Sequence, residues 1–223
     1  MMKKVMLALM CMCLVSMAQA LSITNGDFET GGGENILDVT GWYDNNTGGF
    51  WDGAWQTNAG WITPNGTNVV VLSANGTSAT DPLAGQSYLY QSIGTAGEAS
   101  VKIGFDWGHP DDTGAGRFDK VTVSVFASDG SFVGADGTDI YGAAGVTLLD
   151  SASFEHTALD INGEIFSVIA DLDLSSANAG DELFLRFNSA SEWPVVDNVQ
   201  IVPEPATMVL VGLGALLLRK RQA

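Results

Sequence analysis

The residues of this chain that are able to do chemistry are almost all carboxylates and aromatic rings. Its 223 residues include 26 Asp and Glu and six Trp, against two His and two Cys. Asp197 is the most informative of the acids. It shares alternation parity with Val195, Val199 and Ile201, which predicts a strand whose apolar side faces a core. A carboxylate buried there without a partner costs too much to remain charged. A hard cation held by oxygen ligands answers that cost. Backbone N–H groups at a strand end are the simpler alternative.

The second signal is aromatic. Trp42 follows a turn at Gly41, and Trp107 is in phase with Val101, Ile103 and Phe105, so both read as core. Trp51, Trp55 and Trp61 lie in loop-like sequence beside Asp52, Gln56 and Asn58. An indole flanked by amide and carboxylate groups suits a sugar, whose C–H face stacks on the ring while its hydroxyls find acceptors. Trp51, Asp52, Trp55 and Gln56 are therefore the candidate carbohydrate-binding residues. The alternative is that these rings fold back to cap a sheet edge.

Catalysis has little to build on. His109 and His156 cannot make a histidine-rich metal site, and Asp106–Asp112 reads as a charged loop after a strand. The chain has no G-x-S-x-G elbow, H-E-x-x-H pair, phosphate-binding loop or dinucleotide fingerprint. Carboxylates are so numerous that no pair stands out for glycoside hydrolysis, which needs separations of about 5–5.5 or 6.5–9.5 Å. The expectation is a protein that is not an enzyme. A secreted polysaccharide hydrolase is the lesser reading, and a structural matrix or adhesion component without a small ligand is another.

The elements that must position these residues read as strands. Val101, Ile103, Phe105 and Trp107 alternate with Lys102, Gly104 and Asp106; Val121, Val123 and Val125 alternate with Lys120, Thr122 and Ser124. Phe166, Val168, Ala170, Leu172 and Leu174 share one parity, as do Leu183, Leu185 and Phe187. A period of two with one wet face is the pattern of antiparallel sheets. Asn-Gly and Asp-Gly pairs punctuate the chain at 25–26, 52–53, 65–66, 75–76, 129–130, 136–137 and 162–163, several of them suited to tight turns. Gly31–Gly60 is rich in Gly and Asn and predicts long loops. Residues 21–202 thus predict one all-β domain, a two-sheet antiparallel jelly-roll sandwich of eight or so strands.

Ile23-Thr24-Asn25-Gly26-Asp27-Phe28-Glu29 with Gly41-Trp42, and the closing Val196-Asp197-Asn198-Val199-Gln200-Ile201, resemble the two ends of galactose-binding-like jelly rolls in carbohydrate-binding modules. The resemblance implies a structural Ca²⁺ held by Glu29 and Asp197, and a polysaccharide or exopolysaccharide as partner.

The two ends are addresses rather than fold. Lys3 and Lys4, the eleven apolar residues Val5–Val15, and Ala18-Gln19-Ala20 make a signal peptide over 1–20 with cleavage after Ala20. The apolar run is too short to span a bilayer. Both cysteines, Cys11 and Cys13, fall inside it, so the mature chain has no disulfide. Residues 203–223 run Pro203-Glu204-Pro205, an uncharged Ala206–Leu218, and Arg219-Lys220-Arg221. Residues 206–218 predict a short transmembrane helix of roughly 20 Å, with its basic end cytoplasmic. This order resembles the PEP-CTERM sorting signal. It implies export, transient inner-membrane anchoring, recognition near Pro203–Pro205 by an exosortase-type protease, and a final place at the cell surface or outside it. Of the 26 acids all but Glu204 lie within 21–202, against only Lys102, Arg117, Lys120 and Arg186. Such a surface repels nucleic acid and anionic lipid.

Overall fold

The structure is a computed structural model that describes residues 20–33, 36–46, 52–57, 66–74, 87–108, 119–156, 164–189 and 193–203. The expected helices of the signal peptide and of 206–218 lie outside these. Among the described residues, no helix is long and apolar enough to cross a membrane.

Among the described residues, ten strands run β1 Tyr43–Asp44, β2 Asp52–Thr57, β3 Val69–Ala74, β4 Ser87–Thr95, β5 Ser100–Gly108, β6 Asp119–Ser128, β7 Val146–His156, β8 Ile165–Asp173, β9 Glu182–Ser189 and β10 Val195–Ile201. They form two antiparallel five-stranded sheets, β2-β3-β10-β5-β8 and β1-β4-β9-β6-β7. The strands beyond the eight or so expected include β1 and β2, which fall where Gly and Asn content predicts loops. Asp52-Gly53, a turn signal by type, opens β2 instead. Pairing with all six residues of β3 overrides local propensity there.

Alternation sorts the side chains as expected between the sheets. Val101, Ile103, Phe105 and Trp107 of β5 are buried against Val121, Val123 and Val125 of β6 and Leu183, Leu185 and Phe187 of β9. Each such side chain contributes about 1.5–3 kcal/mol by leaving water. The Phe105 ring meets Phe187 and Phe154 edge-on, with centroids 5.0 and 5.3 Å apart.

The outer face of the β1-β4-β9-β6-β7 sheet departs from expectation, because it is not wet. The β6–β7 connection, residues 129–145, folds back across it and encloses Tyr88, Tyr90, Phe126 and Phe184 beneath Phe132 and Ile140. Arg186, expected to face solvent, is fully buried there. Its guanidinium donates to both Asp139 carboxylate oxygens (2.8 and 2.7 Å) and to Asn188 Oδ1 (2.6 Å). It also lies over the rings of Tyr88 and Tyr141, at 5.2 and 5.9 Å. The Tyr90 hydroxyl accepts from Ala135 N–H (3.1 Å) and donates to the Thr138 carbonyl (2.9 Å). A strap of 17 residues is thereby fastened by a charged fork and a phenol. Period-two reading cannot find it, because it sees a strand and not what covers it.

Candidate calcium and carbohydrate sites

Asp197 is fully buried, but not on the side that parity predicts. Val196 and Val199 both enter the main core, whereas Val195 joins Val69 and Val71 in a separate outer cluster. The β5–β10 register slips between Asp197 and Gln200, and Asn198 takes a positive φ of 50°. This bulge breaks the alternation that tied Asp197 to Val199. Asp197 pairs across the ladder with Asp106, whose neighbours on β5, Phe105 and Trp107, face the main core. The two acids therefore share the outer face. Asp106 accepts from Ser167 Oγ (2.5 Å) and Asn198 Nδ2 (3.2 Å), and Asp197 Oδ1 accepts from Asn198 N–H (2.6 Å).

The N-terminal turn packs against that bulge. Val199 N–H donates to the Gly26 carbonyl at 2.8 Å. The next residues hold Glu29, whose Oε1 accepts the N–H groups of Thr67 and Asn68 (2.6 and 2.9 Å) and whose Oε2 accepts Asn68 Nδ2 (2.8 Å). Partial burial pushes the Glu29 carboxyl up, but the Asn68 and Thr67 donors outweigh it and hold it below the usual carboxylate range. Among the described residues, the non-glycine residues with positive φ are Asn25, Phe28 and Asn198, and all three flank this junction. A bulky Phe there costs on the order of 1–3 kcal/mol, a strain that clusters at functional sites.

Two buried amide oxygens at the same place, Asn68 Oδ1 and Gln56 Oε1, have no hydrogen-bond partner among the described residues. Both belong to side chains already tied to the turn, Asn68 through Glu29 and Gln56 through its amide nitrogen, which donates to the Phe28 carbonyl. An orphaned acceptor beside the Glu29 carboxylate, Asn68 Oδ1, fits a hard cation with oxygen ligands, but Gln56, paired with core-facing Val70, stands on the opposite face of the sheet from Asp197. No described group of three or more His, Cys, Asp or Glu side chains is arranged to hold a metal, so such a site would lean on amide and backbone oxygens, as calcium permits.

Gln56 is thus in the interior and not at a sugar-facing rim; its full burial removes it from any surface site. Asp52 and Trp55 pair with Ala74 and Val71 in the β2–β3 ladder; their side chains, and Trp51, Trp61 and His109, lie outside the description. Trp42 and Trp107 are core, as expected, and Trp193 packs on the outer valine cluster. Of the sorting residues, Ala20 and Pro203 are described, at the two ends of the domain; Ala18, Glu204, Pro205, Arg219, Lys220 and Arg221 lie outside.

Sequence reasoning missed a third place. An open cleft of about 420 Å³ is lined by Thr24, Asp38, Tyr43, Gln91, Ser92 and Asp136, with Trp42 at its wall. Its framework is the 38–46 turn, closed by Asp44. That carboxylate is 1% exposed and accepts the N–H groups of Val39 (3.2 Å) and Asn46 (2.8 Å). Burial pushes its pKa up to about 7 against those hydrogen bonds, and the nearby Asp136 and Asp38 charges add to the rise. A short strand without alternation gave no signal for this cleft.

Comparison with known proteins places the tail and the shape separately. The PEP-CTERM protein-sorting motif matches residues 202–222, so the tail read from Pro203-Glu204-Pro205 is that motif. No curated protein matches the chain in sequence. Among solved structures, a cyclase from Fischerella sp. TAU is similar over 83% of this chain and 98% of its own, at 16% identity and a TM-score of 0.55. A xylan-binding domain from CBM 22 aligns over 82% of this chain and 96% of its own, at 9% identity and TM-score 0.46. A CBM4 structure aligns over 82% and 100%, at 15% and 0.45. The fold is the expected two-sheet jelly roll, and structures similar to it include an enzyme as well as carbohydrate-binding modules. The chain is therefore an all-β jelly roll that carries a PEP-CTERM sorting motif directly after its last strand.

Proposed function

We propose that this is an exported cell-surface or matrix protein whose jelly roll binds carbohydrate without catalysis. The observation that carries the reading is the position of the sorting motif. It begins at residue 202, immediately after β10 ends at Ile201, so the tail that the sorting machinery would handle is joined directly to this jelly roll. With a signal peptide over 1–20, the chain is exported, held transiently in the inner membrane by 206–218, and released by an exosortase-type protease. Trp51 and Trp55, with Asp52, are the proposed stacking residues for a polysaccharide. A Ca²⁺ held by Glu29 and Asp197 would supply positive charge to the two carboxylates and would pin the N-terminal turn to β10.

Affinity electrophoresis of the purified protein through gels of neutral, acidic and amine-bearing polysaccharides, with calcium present, tests the reading. Retardation by at least one, weakened in a Trp51→Ala/Trp55→Ala variant, is expected. Unretarded migration in every gel would refute carbohydrate binding. The same outcome would favour the structural-matrix reading.

A further inference from the structure

The Tyr43 cleft has a chemistry of its own. Tyr43 is among the exposed large apolar side chains, at 37%, yet its ring is held from behind. It leans on Tyr90, tilted by 36° with centroids 5.3 Å apart. The Gly134 backbone of the strap lies so close that a Cβ there would fall 2.4 Å from Tyr43 Cε2. Tyr90 is itself fixed by Phe132, Phe184 and its hydroxyl bonds to Ala135 and Thr138. The ring is held rigid and stays partly exposed where it lines the cleft, which is what stacking on a ligand requires.

The polar groups around it are one-sided. Gln91 is consumed, since its Oε1 accepts Thr24 N–H (2.9 Å) and its Nε2 donates to the Thr24 carbonyl (3.1 Å). Ser92 Oγ donates to Glu182 (2.7 Å). The charged groups that remain are the exposed carboxylates of Asp38 and Asp136, the latter positioned by Asp44 N–H at 3.3 Å. No basic side chain lines the cleft among the described residues. A groove of acceptors beside an aromatic ring matches a ligand that carries an ammonium on a ring with an apolar C–H face: an ammonium has three N–H donors and no acceptor, and is drawn to aromatic faces. A chain-wide charge of −17 adds long-range attraction.

We propose that this cleft binds glycans carrying free amino groups, with a sugar ring on Tyr43 and its ammonium between Asp38 and Asp136. The proposal rests on the carbohydrate-binding reading and names the ligand class for a site distinct from Trp51 and Trp55. A lysine side chain offers the same ammonium, but it has no ring to lay against Tyr43.

Isothermal titration of the purified full chain at low salt with a glucosamine tetramer tests it. The comparison ligands are the N-acetylated tetramer, a neutral cellotetraose and tetralysine. The glucosamine tetramer is expected to bind at least about tenfold tighter than the N-acetylated one, as a cation on an aromatic face allows. Tyr43→Ala, Asp38→Asn and Asp136→Asn should each weaken it, whereas Tyr43→Phe, which keeps the ring, should not. Asp171→Asn, an equal charge change on the edge strand of the other sheet, should leave binding intact. Equal binding of the N-acetylated tetramer or of tetralysine overturns the proposal, as does equal weakening by Asp171→Asn. If only cellotetraose binds, the amine proposal fails and the carbohydrate reading stands. If no saccharide binds, the amine proposal fails, and the gel screen alone decides the carbohydrate reading.

Discussion

Replacing Asp44 by Asn should change how stability depends on pH more than it changes stability itself. Asp44 sits on the edge strand β1 with 1% exposure, and burial raises its carboxyl from 3.8 to about 7. Between those values the folded chain holds a proton that the unfolded chain has released. Stability conferred by the neutral form is therefore complete at the acid end of the window and is lost as pH rises through about 7. Three units correspond to an upper bound of about 4 kcal/mol, and relaxation of the 38–46 turn would bring the observed figure nearer ~2 kcal/mol. Asn is neutral throughout, and its Oδ1 can still accept one of the two N–H groups that Val39 and Asn46 present. Urea unfolding of wild type and Asp44→Asn at pH about 4.5 and about 8 isolates this group, because the other carboxylates cancel in the difference. Wild type should lose about 2–4 kcal/mol relative to the variant between the two conditions, and the variant should equal or exceed it at the alkaline end. A wild-type-to-variant difference that is the same at both values would refute the burial argument. Asp44 would then titrate as an ordinary carboxylate and the turn would be looser than described.

Two further outcomes follow from the buried charges and the N-terminal junction. Asp139→Ala leaves the Arg186 guanidinium buried with the neutral Asn188 amide oxygen as acceptor; it should cost about 3–5 kcal/mol, and hydrogen exchange at Gly137 and Ala143, whose N–H groups bond backbone carbonyls, should show the strap loosening before the sheets. Arg186→Met with Asp139→Leu should recover most of that loss, because the pair is removed together. Added Ca²⁺ should raise the melting temperature, and Asp197→Ala should abolish the increase; a chelator that leaves the wild-type melting curve unchanged would dispose of the calcium proposal. Glu29→Gln should weaken the response while keeping the Thr67 and Asn68 backbone N–H bonds, since Gln retains one carbonyl acceptor; the Asn68 Nδ2 bond to the second oxygen is lost.

The sequence by itself determined the layer. Hydrophobic residues two apart on β5, β6, β8 and β9 can be buried together only on one face of an extended chain, so the main core from Val101 to Phe187 was legible before any coordinate. The tail was legible for a different reason: a breaker, an apolar run and a basic end make a linear signal that needs no folding to be read. Asp197 shows where linear reading stopped. Its burial was foreseen, but the bulge at Asn198 turned it to the outer face, and a one-residue slip is invisible to a period-two pattern. Gln56 was drawn inward by pairing between β2 and β3, a contact between residues whose local types favour a loop. The strap over Tyr88 and Arg186, the proton on Asp44 and the platform under Tyr43 belong wholly to the tertiary structure. Each arises where segments distant in sequence meet, and desolvation, which sets the pKa of Asp44 and the fork on Arg186, is a property of that meeting and not of either segment alone.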